Sequence, residues 1–243
     1  MATFLVVHGA WAAGWSWKKM RPLIRERGHE LFTPTLTGIG ERAHLANPRI
    51  GLKTHIQDVI GVLEYEDLQA VILIGHSYGG MVATGVADLA RERLAHLVYL
   101  DAFVPRDGQC MFDLQPEEAR DRMREEARTV GAGWGIPPID LSPDMSEDDL
   151  AWAGSRLVMQ PMMTFEEPIH LTGVCETLSR TYIHCTFPRE VDIFGQFAMR
   201  ARKEPGWSYR EINASHNAQI TAPEALAALI DDIAAEEACL RNG

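Results

Sequence analysis

Positive charge is scarce in this chain. Its 23 lysines and arginines stand against 34 aspartates and glutamates, a net charge of −11. Such a surface repels phosphate backbones and anionic lipid, and no basic cluster offsets it, so nucleic acid and membrane surfaces are excluded as partners. Long apolar runs are missing too: none approaches the ~20 residues a bilayer-spanning helix needs. The first residues, Met1 to Val7, lack a charged n-region and run straight into a strand pattern, so no signal peptide is expected and the cytoplasm is the expected compartment. Cysteine is sparse. Cys110, Cys175, Cys185 and Cys239 form no CxxC pair and no metal-ligand spacing, which predicts free thiols in a reducing compartment. No HExxH or HxH appears among the nine scattered histidines, so neither a metal nor another cofactor is expected.

What is present is alternation. Short apolar runs at Phe4 to Val7, Glu30 to Pro34, Val71 to Ile74 and Leu97 to Leu100 are separated by helical patterns over Trp17 to Arg27, His55 to Glu64 and Met81 to Ala95. Strands spaced this way need crossover connections, which predicts a mainly parallel sheet with helices on both faces. Residues 105–180 read differently. They hold seven of the thirteen prolines and two acidic helical stretches, Glu117 to Arg128 and Ser146 to Leu157, with no convincing strand. Strand patterns return at Thr181 to Thr186 and Tyr209 to Ile212, and a helix closes the chain from Pro223. The expected organisation is one α/β core domain, residues 1–104 and 181–243, with a helical cap, residues 105–180, inserted in it. A chain of this length buries about 70–75% of its unfolded surface and needs no staples.

The stretch "LIGHSYGG", residues 73–80, carries a G-x-S-x-G turn directly behind an apolar strand. Such a turn strains the serine and lifts its Oγ above the sheet, while the following glycine lets a helix pack close to the strand. Ser77 is therefore the expected nucleophile, and the backbone N–H of Tyr78 one oxyanion donor. The second donor should come from the loop after an earlier strand, where "VVHGAWAAGWSW" offers the N–H of Ala10. His8 is read as a structural residue that shapes this loop. The base must come late, because folds with this elbow run serine, acid, histidine. His216, in "YREINASHNAQITAP", is the one histidine in a loop after the last strand. The acid has three candidates. Asp101 follows the strand Leu97 to Leu100 directly and, abutting an apolar strand, needs a partner to justify its burial; Asp192 and Glu190 follow the later strand. Asp101 is the preferred assignment, as the residue that orients His216.

"VVHGAWAAGWSW", "TPTLTGIGERAHL", "VILIGHSYGGM", "HLVYLDAFVP" and "ASHNAQITAP" together resemble the α/β-hydrolase superfamily, in its cap-bearing branch of plant methylesterases and hydroxynitrile lyases with their bacterial esterase relatives. The resemblance samples residues 6–223, cap excepted. It implies the α/β-hydrolase fold, and an esterase acting through an acyl-enzyme on Ser77 with His216 and the amides of Ala10 and Tyr78. The plant members carry their acid after the later strand, where this chain has Phe187-Pro188. The lyases of the branch use a threonine and a lysine where Gly9 and Asn217 stand here, which argues against a cyanide-handling site. By the same analogy the cap roofs the substrate pocket, with Trp11, Trp134, Trp152 and Met159 as expected lining and Met162, Met163 and Phe165 beside them. No arginine or lysine lies near Ser77 or His216 in sequence, so a small, largely apolar or aromatic acyl compound is the expected substrate, as an ester, carbamate or amide. A homodimer is compatible with the sequence, which does not specify assembly.

Two rival readings have some support in the sequence. "TGIGERA", residues 37–43, has a G-x-G-x-x-A form, but it follows the second strand, and Asp58, twenty residues on, lies in a helical pattern, so no dinucleotide site is expected. A ligand receptor on the same fold would keep the same residues with little turnover.

Overall fold

The computed structural model describes residues 1–141, 144–189 and 191–242. In chain order the elements are β1 (Thr3–Val7), α1 (Met20–Glu26), β2 (Glu30–Phe32), α2 (Leu52–Tyr65), β3 (Val71–His76), α3 (Gly79–Leu89), β4 (Leu94–Leu100), α4 (Glu117–Thr129), β5 (Gly135–Ile136), α5 (Glu147–Gly154), β6 (Gln160–Pro161), α6 (Met163–Glu166), β7 (Ser179–Cys185), α7 (Gly195–Lys203), β8 (Trp207–Ile212), α8 (Ala218–Thr221) and α9 (Pro223–Asn242). The main sheet has six strands in the order β2-β1-β3-β4-β7-β8, every neighbouring pair parallel.

The central strands are apolar throughout because both of their faces are covered. Alternate residues go to opposite cores. Leu5, Val7, Leu73, Leu97, Tyr99 and Tyr182 meet one face, packed by α2, α3 and α7. Phe4, Val6, Ile74, Val98, Leu100 and Ile183 meet the other, packed by α1 and α9. The chain leaves β1 outward to β2 and returns to β3 on the other side, so the strand order reverses between β1 and β3. At such a switch point the carboxyl ends of neighbouring strands open a crevice for a ligand.

Three boundaries differ from the sequence reading. β2 stops at Phe32, ahead of Thr33-Pro34, since proline has no N–H to give a ladder. The pattern over Met81 to Ala95 is not one helix: α3 ends at Leu89, a 3-10 turn covers Arg91–Arg93, and Leu94 already pairs with Val71 in β4. Burial of Leu94 and Ala95 in the sheet overrides their helical propensity. The stretch between β4 and β7 carries α4, α5 and α6, and also a two-residue antiparallel pair, Gly135↔Pro161 and Ile136↔Gln160, too short to show as a pattern.

Candidate active site

Ser77 follows β3, the His8-Gly9-Ala10-Trp11 loop follows β1, and Asp101 follows β4, so three adjacent strands deliver these groups to one edge of the sheet. All three turns are strained. Trp11, Ser77 and Asp101 have φ of 60°, 55° and 42°, three of the six non-glycine residues with positive φ among those described. Each such position costs about 1–3 kcal/mol and persists only where its surroundings impose it. At Ser77 the neighbours do so: its N–H donates to the Leu100 carbonyl (3.3 Å), and its carbonyl accepts from Gly80 and Phe103. A β-carbon added at Gly79 would lie 2.2 Å from the Val7 carbonyl oxygen, so only glycine lets α3 begin this close to β1. One added at Gly9 would lie 3.1 Å from both the Ser77 β-carbon and His76 Nδ1; the first loop is packed against the serine. Neither the Ala10 nor the Tyr78 N–H has an acceptor among the described residues.

His216 lies in the loop after β8. Its Nδ1–H donates to Asp101 Oδ2 at 2.7 Å, which leaves Nε2 as the lone-pair nitrogen. The ring is held on two further sides. Phe194 stacks on it at 4.8 Å and 11°. His76 sits 4.8 Å away, and its Nε2–H donates to the His216 carbonyl at 2.8 Å. Because His76 precedes Ser77 in the chain, that bond ties the two loops together. Burial pushes the His76 ring down to a pKa of about 3, so it stays neutral. Asp144, from the segment between β4 and β7, accepts the Ser215 N–H at 3.2 Å and anchors the loop from above.

Asp101 is fully buried. Burial alone would raise its pKa, but hydrogen bonds from His216 and Arg189 outweigh that and hold it at about 2. Asp192 does not reach His216. It pairs with His184 (2.9 Å) and Arg189 (2.7 Å) and accepts the N–H groups of Phe194 and Gly195 at the start of α7. Glu190 lies outside the described residues. His8 donates from Nδ1 to the Gly9 carbonyl (2.8 Å) and accepts the Leu36 N–H on Nε2 (3.1 Å), and burial pushes it down to about 4. Its job is to hold the first loop.

Of the expected pocket residues, Trp11 is placed beside the site. It is nearly buried, with its N–H on Gln160 Oε1 (3.1 Å), its indole N–H on the Ile136 carbonyl (3.0 Å) and its own carbonyl accepting from Val158 (3.2 Å). Trp134 and Met159 flank the small β5–β6 pair, with Met159 39% exposed. Trp152 packs edge-on against Trp15 at 5.1 Å. Phe165 is buried between Trp11, Tyr78 and Phe112 and acts as core. The Tyr78 hydroxyl donates to His55 Nδ1 (3.0 Å), whose Nε2–H donates to the Thr37 carbonyl (2.9 Å). Asp58 binds the N–H and hydroxyl of Thr37, so the start of the "TGIGERA" segment is clamped to α2, and its end enters a 3-10 helix, Gly40–Leu45. Two cavities of about 410 and 430 Å³ open elsewhere, along β4, β7 and β8, and neither is lined by Ser77, Asp101 or His216. Phe194, His76, Gln160 and Arg189 went unread in the sequence because each acts across a long chain separation.

Residues 4–229 match the family model described as the alpha/beta hydrolase family. The chain belongs to this family. Among its relatives is the carbendazim hydrolyzing esterase of Nocardioides sp. (strain SG-4G), 37% identical over 238 residues that cover 93% of this chain and 97% of that protein. Salicylic acid-binding protein 2 of Nicotiana tabacum is 34% identical over 207 residues, 75% of this chain and 78% of that one. Among solved structures, an extracellular α/β-hydrolase from a Paenibacillus species superposes with a TM-score of 0.84 at 22% identity, covering 96% of this chain and 98% of that one. The α/β-hydrolase fold and the methylesterase-like branch stand as read from the motifs. All four cysteines are free thiols. Among the described residues no helix is long and apolar enough to cross a membrane, and no group of histidine, cysteine and carboxylates could hold a metal ion.

Proposed function

We propose that this α/β hydrolase cleaves small, largely apolar or aromatic esters and related carbamates through an acyl-enzyme on Ser77, with a Ser77-His216-Asp101 triad. The observation that carries the reading is the 2.7 Å bond from His216 Nδ1 to the buried Asp101 carboxylate, beside the strained turn that holds Ser77. Ser77 Oγ attacks the acyl carbon as His216 Nε2 takes its proton, and Asp101 stabilises the imidazolium formed. The N–H groups of Ala10 and Tyr78 receive the oxyanion, each such donor contributing about 10²–10³ in rate. The tetrahedral intermediate collapses, and the leaving alcohol or amine departs with the proton from His216. Water, deprotonated by His216, then attacks the acyl-enzyme and releases the acid and Ser77.

The name of the Nocardioides relative, an esterase that hydrolyses carbendazim, supports including this compound among the substrates. Gly9 and Asn217, standing where the lyases of the branch carry a threonine and a lysine, support an esterase over a lyase. The name of the tobacco relative, a binding protein, favours one second reading, a receptor with slow turnover. Initial rates on p-nitrophenyl acetate, butyrate, octanoate and benzoate, and on carbendazim, test the proposal. Multiple turnover on at least one short or aromatic substrate is expected. A single turnover followed by tight retention of the product supports the receptor instead.

A further inference from the structure

Asp101 has a partner besides His216. Arg189, from the loop after β7, donates from Nη1 to Oδ2 at 2.8 Å and from Nη2 to Oδ1 at 3.2 Å. The Cys185 N–H adds a third bond, to Oδ1 at 3.3 Å. The guanidinium is itself fixed: Nη2 lies 2.7 Å from Asp192 Oδ1 and donates to the Cys185 carbonyl at 3.2 Å. Its carbon stands 5.5 Å from the centre of the Phe194 ring that stacks on His216. Among the described residues Arg189 is the one cationic side chain bonded to this fully buried carboxylate.

We propose that Arg189 is a positioning residue of the hydrolytic site, gripping both carboxylate oxygens of Asp101 and sharing Oδ2 with His216, fixing which oxygen faces Nδ1 and setting how strongly the imidazole holds a proton. The inference rests on the triad reading above. A carboxylate pinned at both oxygens by a planar fork cannot rotate, so Oδ2 stays aimed at Nδ1. The same positive charge neutralises part of the field with which Asp101 stabilises the imidazolium. The pair therefore exchanges some basicity of His216 for an acid that stays ionised and aligned. Asp192 and His184 both meet Arg189 at Nη2, at 2.7 and 3.3 Å, Cys185 and Tyr182 face Asp101, and His76 faces His216. Asp192 thus serves the triad indirectly, by holding the arginine.

The test uses Arg189→Met and Arg189→Lys, each alone and combined with Asp101→Asn, with kcat/KM on p-nitrophenyl butyrate followed from pH 5 to 9. The burst of p-nitrophenol counts active sites, and Ser77→Ala runs as the control. Arg189→Met is expected to lose about 10–100-fold in kcat through a misaligned carboxylate. Its acid limb is expected to move to higher pH by about half to one unit, because the imidazolium no longer meets the opposing charge. Arg189→Lys restores the charge without the fork, so its limb stays in place while kcat remains about tenfold low. In the Asp101→Asn background Arg189→Met costs less than about threefold, since the clamp has nothing left to hold. An unmoved acid limb in Arg189→Met, or an equal cost in both backgrounds, overturns the clamp while leaving the triad standing. If Arg189→Met does not fold, Arg189→Lys decides: wild-type kcat overturns the proposal. Turnover that survives Ser77→Ala overturns the triad and the clamp together.

Discussion

Ser77, Asp101 and Trp11 each adopt a backbone conformation that costs free energy; Ser77 and Asp101 directly follow β3 and β4, and Trp11 lies in the loop after β1. On this account the strain exposes Ser77 Oγ and turns the Asp101 carboxylate back toward His216. Asp101→Asn should therefore lower kcat by about 10⁴, by presenting the wrong tautomer of His216. Asp192→Asn, which touches only Arg189, His184 and the start of α7, should retain at least about a tenth of the activity. Steady-state kinetics on a p-nitrophenyl ester checks both, and the opposite ranking would move the acid to the loop after β7. Ser77 and Asp101 were legible because a strand pattern and the residue after it sit together in sequence. His216 was legible because one late loop holds one histidine. Phe194, His76 and Arg189 were not, since stacking on His216, bonding its carbonyl and gripping Asp101 all join residues far apart along the chain. Asp192 looked like an acid from its position, and only geometry shows its oxygens taken by other donors.

The first loop and the stretch between β4 and β7 are joined through Gln160. Its Oε1 accepts the Trp11 N–H and its Nε2 donates to Thr164 Oγ1 at 2.7 Å, all in a buried position. Gln160→Met keeps the bulk but strands the Trp11 N–H, at a cost of about 1–3 kcal/mol. Because Ala10 immediately precedes Trp11, kcat should fall by about tenfold or more as the oxyanion donor drifts. Urea unfolding and ester kinetics on the same variant read both effects; lost stability with kcat intact would separate the packing of the β4–β7 stretch from the oxyanion loop. Helix and strand identities were readable wherever a period of 3.6 or a closed apolar run persisted. The β5–β6 pair and the start of β4 at Leu94 were not, because pairing and burial, not local propensity, decide them.

Across the molecule, three neutral histidines are locked in the interior. Burial pushes His8 and His55 down to about 4 and His76 to about 3, from an ordinary value of 6.5. Between pH 6.5 and about 4 the unfolded chain binds protons that the folded chain refuses, so stability falls as pH drops through that window. Each pKa unit is worth about 1.4 kcal/mol, so the three together remove several kcal/mol, a large share of a domain's margin. Asp101, at about 2, keeps its stabilising charge through the whole window and loses it only on further acidification. Tm should decline steadily from pH 7 to 4.5; a flat Tm over that range would mean these rings are hydrated or paired in solution. The parallel order, the helices on both faces and the reversal between β1 and β3 follow from the same alternation that the sequence displays. That reversal brings the loops after β1 and β3 side by side, with Ser77 directly after β3, the strand between β1 and β4. The most direct measurement is the initial rate of p-nitrophenyl butyrate hydrolysis by wild type and Ser77→Ala, with circular dichroism confirming that both are folded. Ser77→Ala is expected to lose about 10⁶ in kcat; a folded Ser77→Ala protein within tenfold of wild type would overturn the nucleophile assignment.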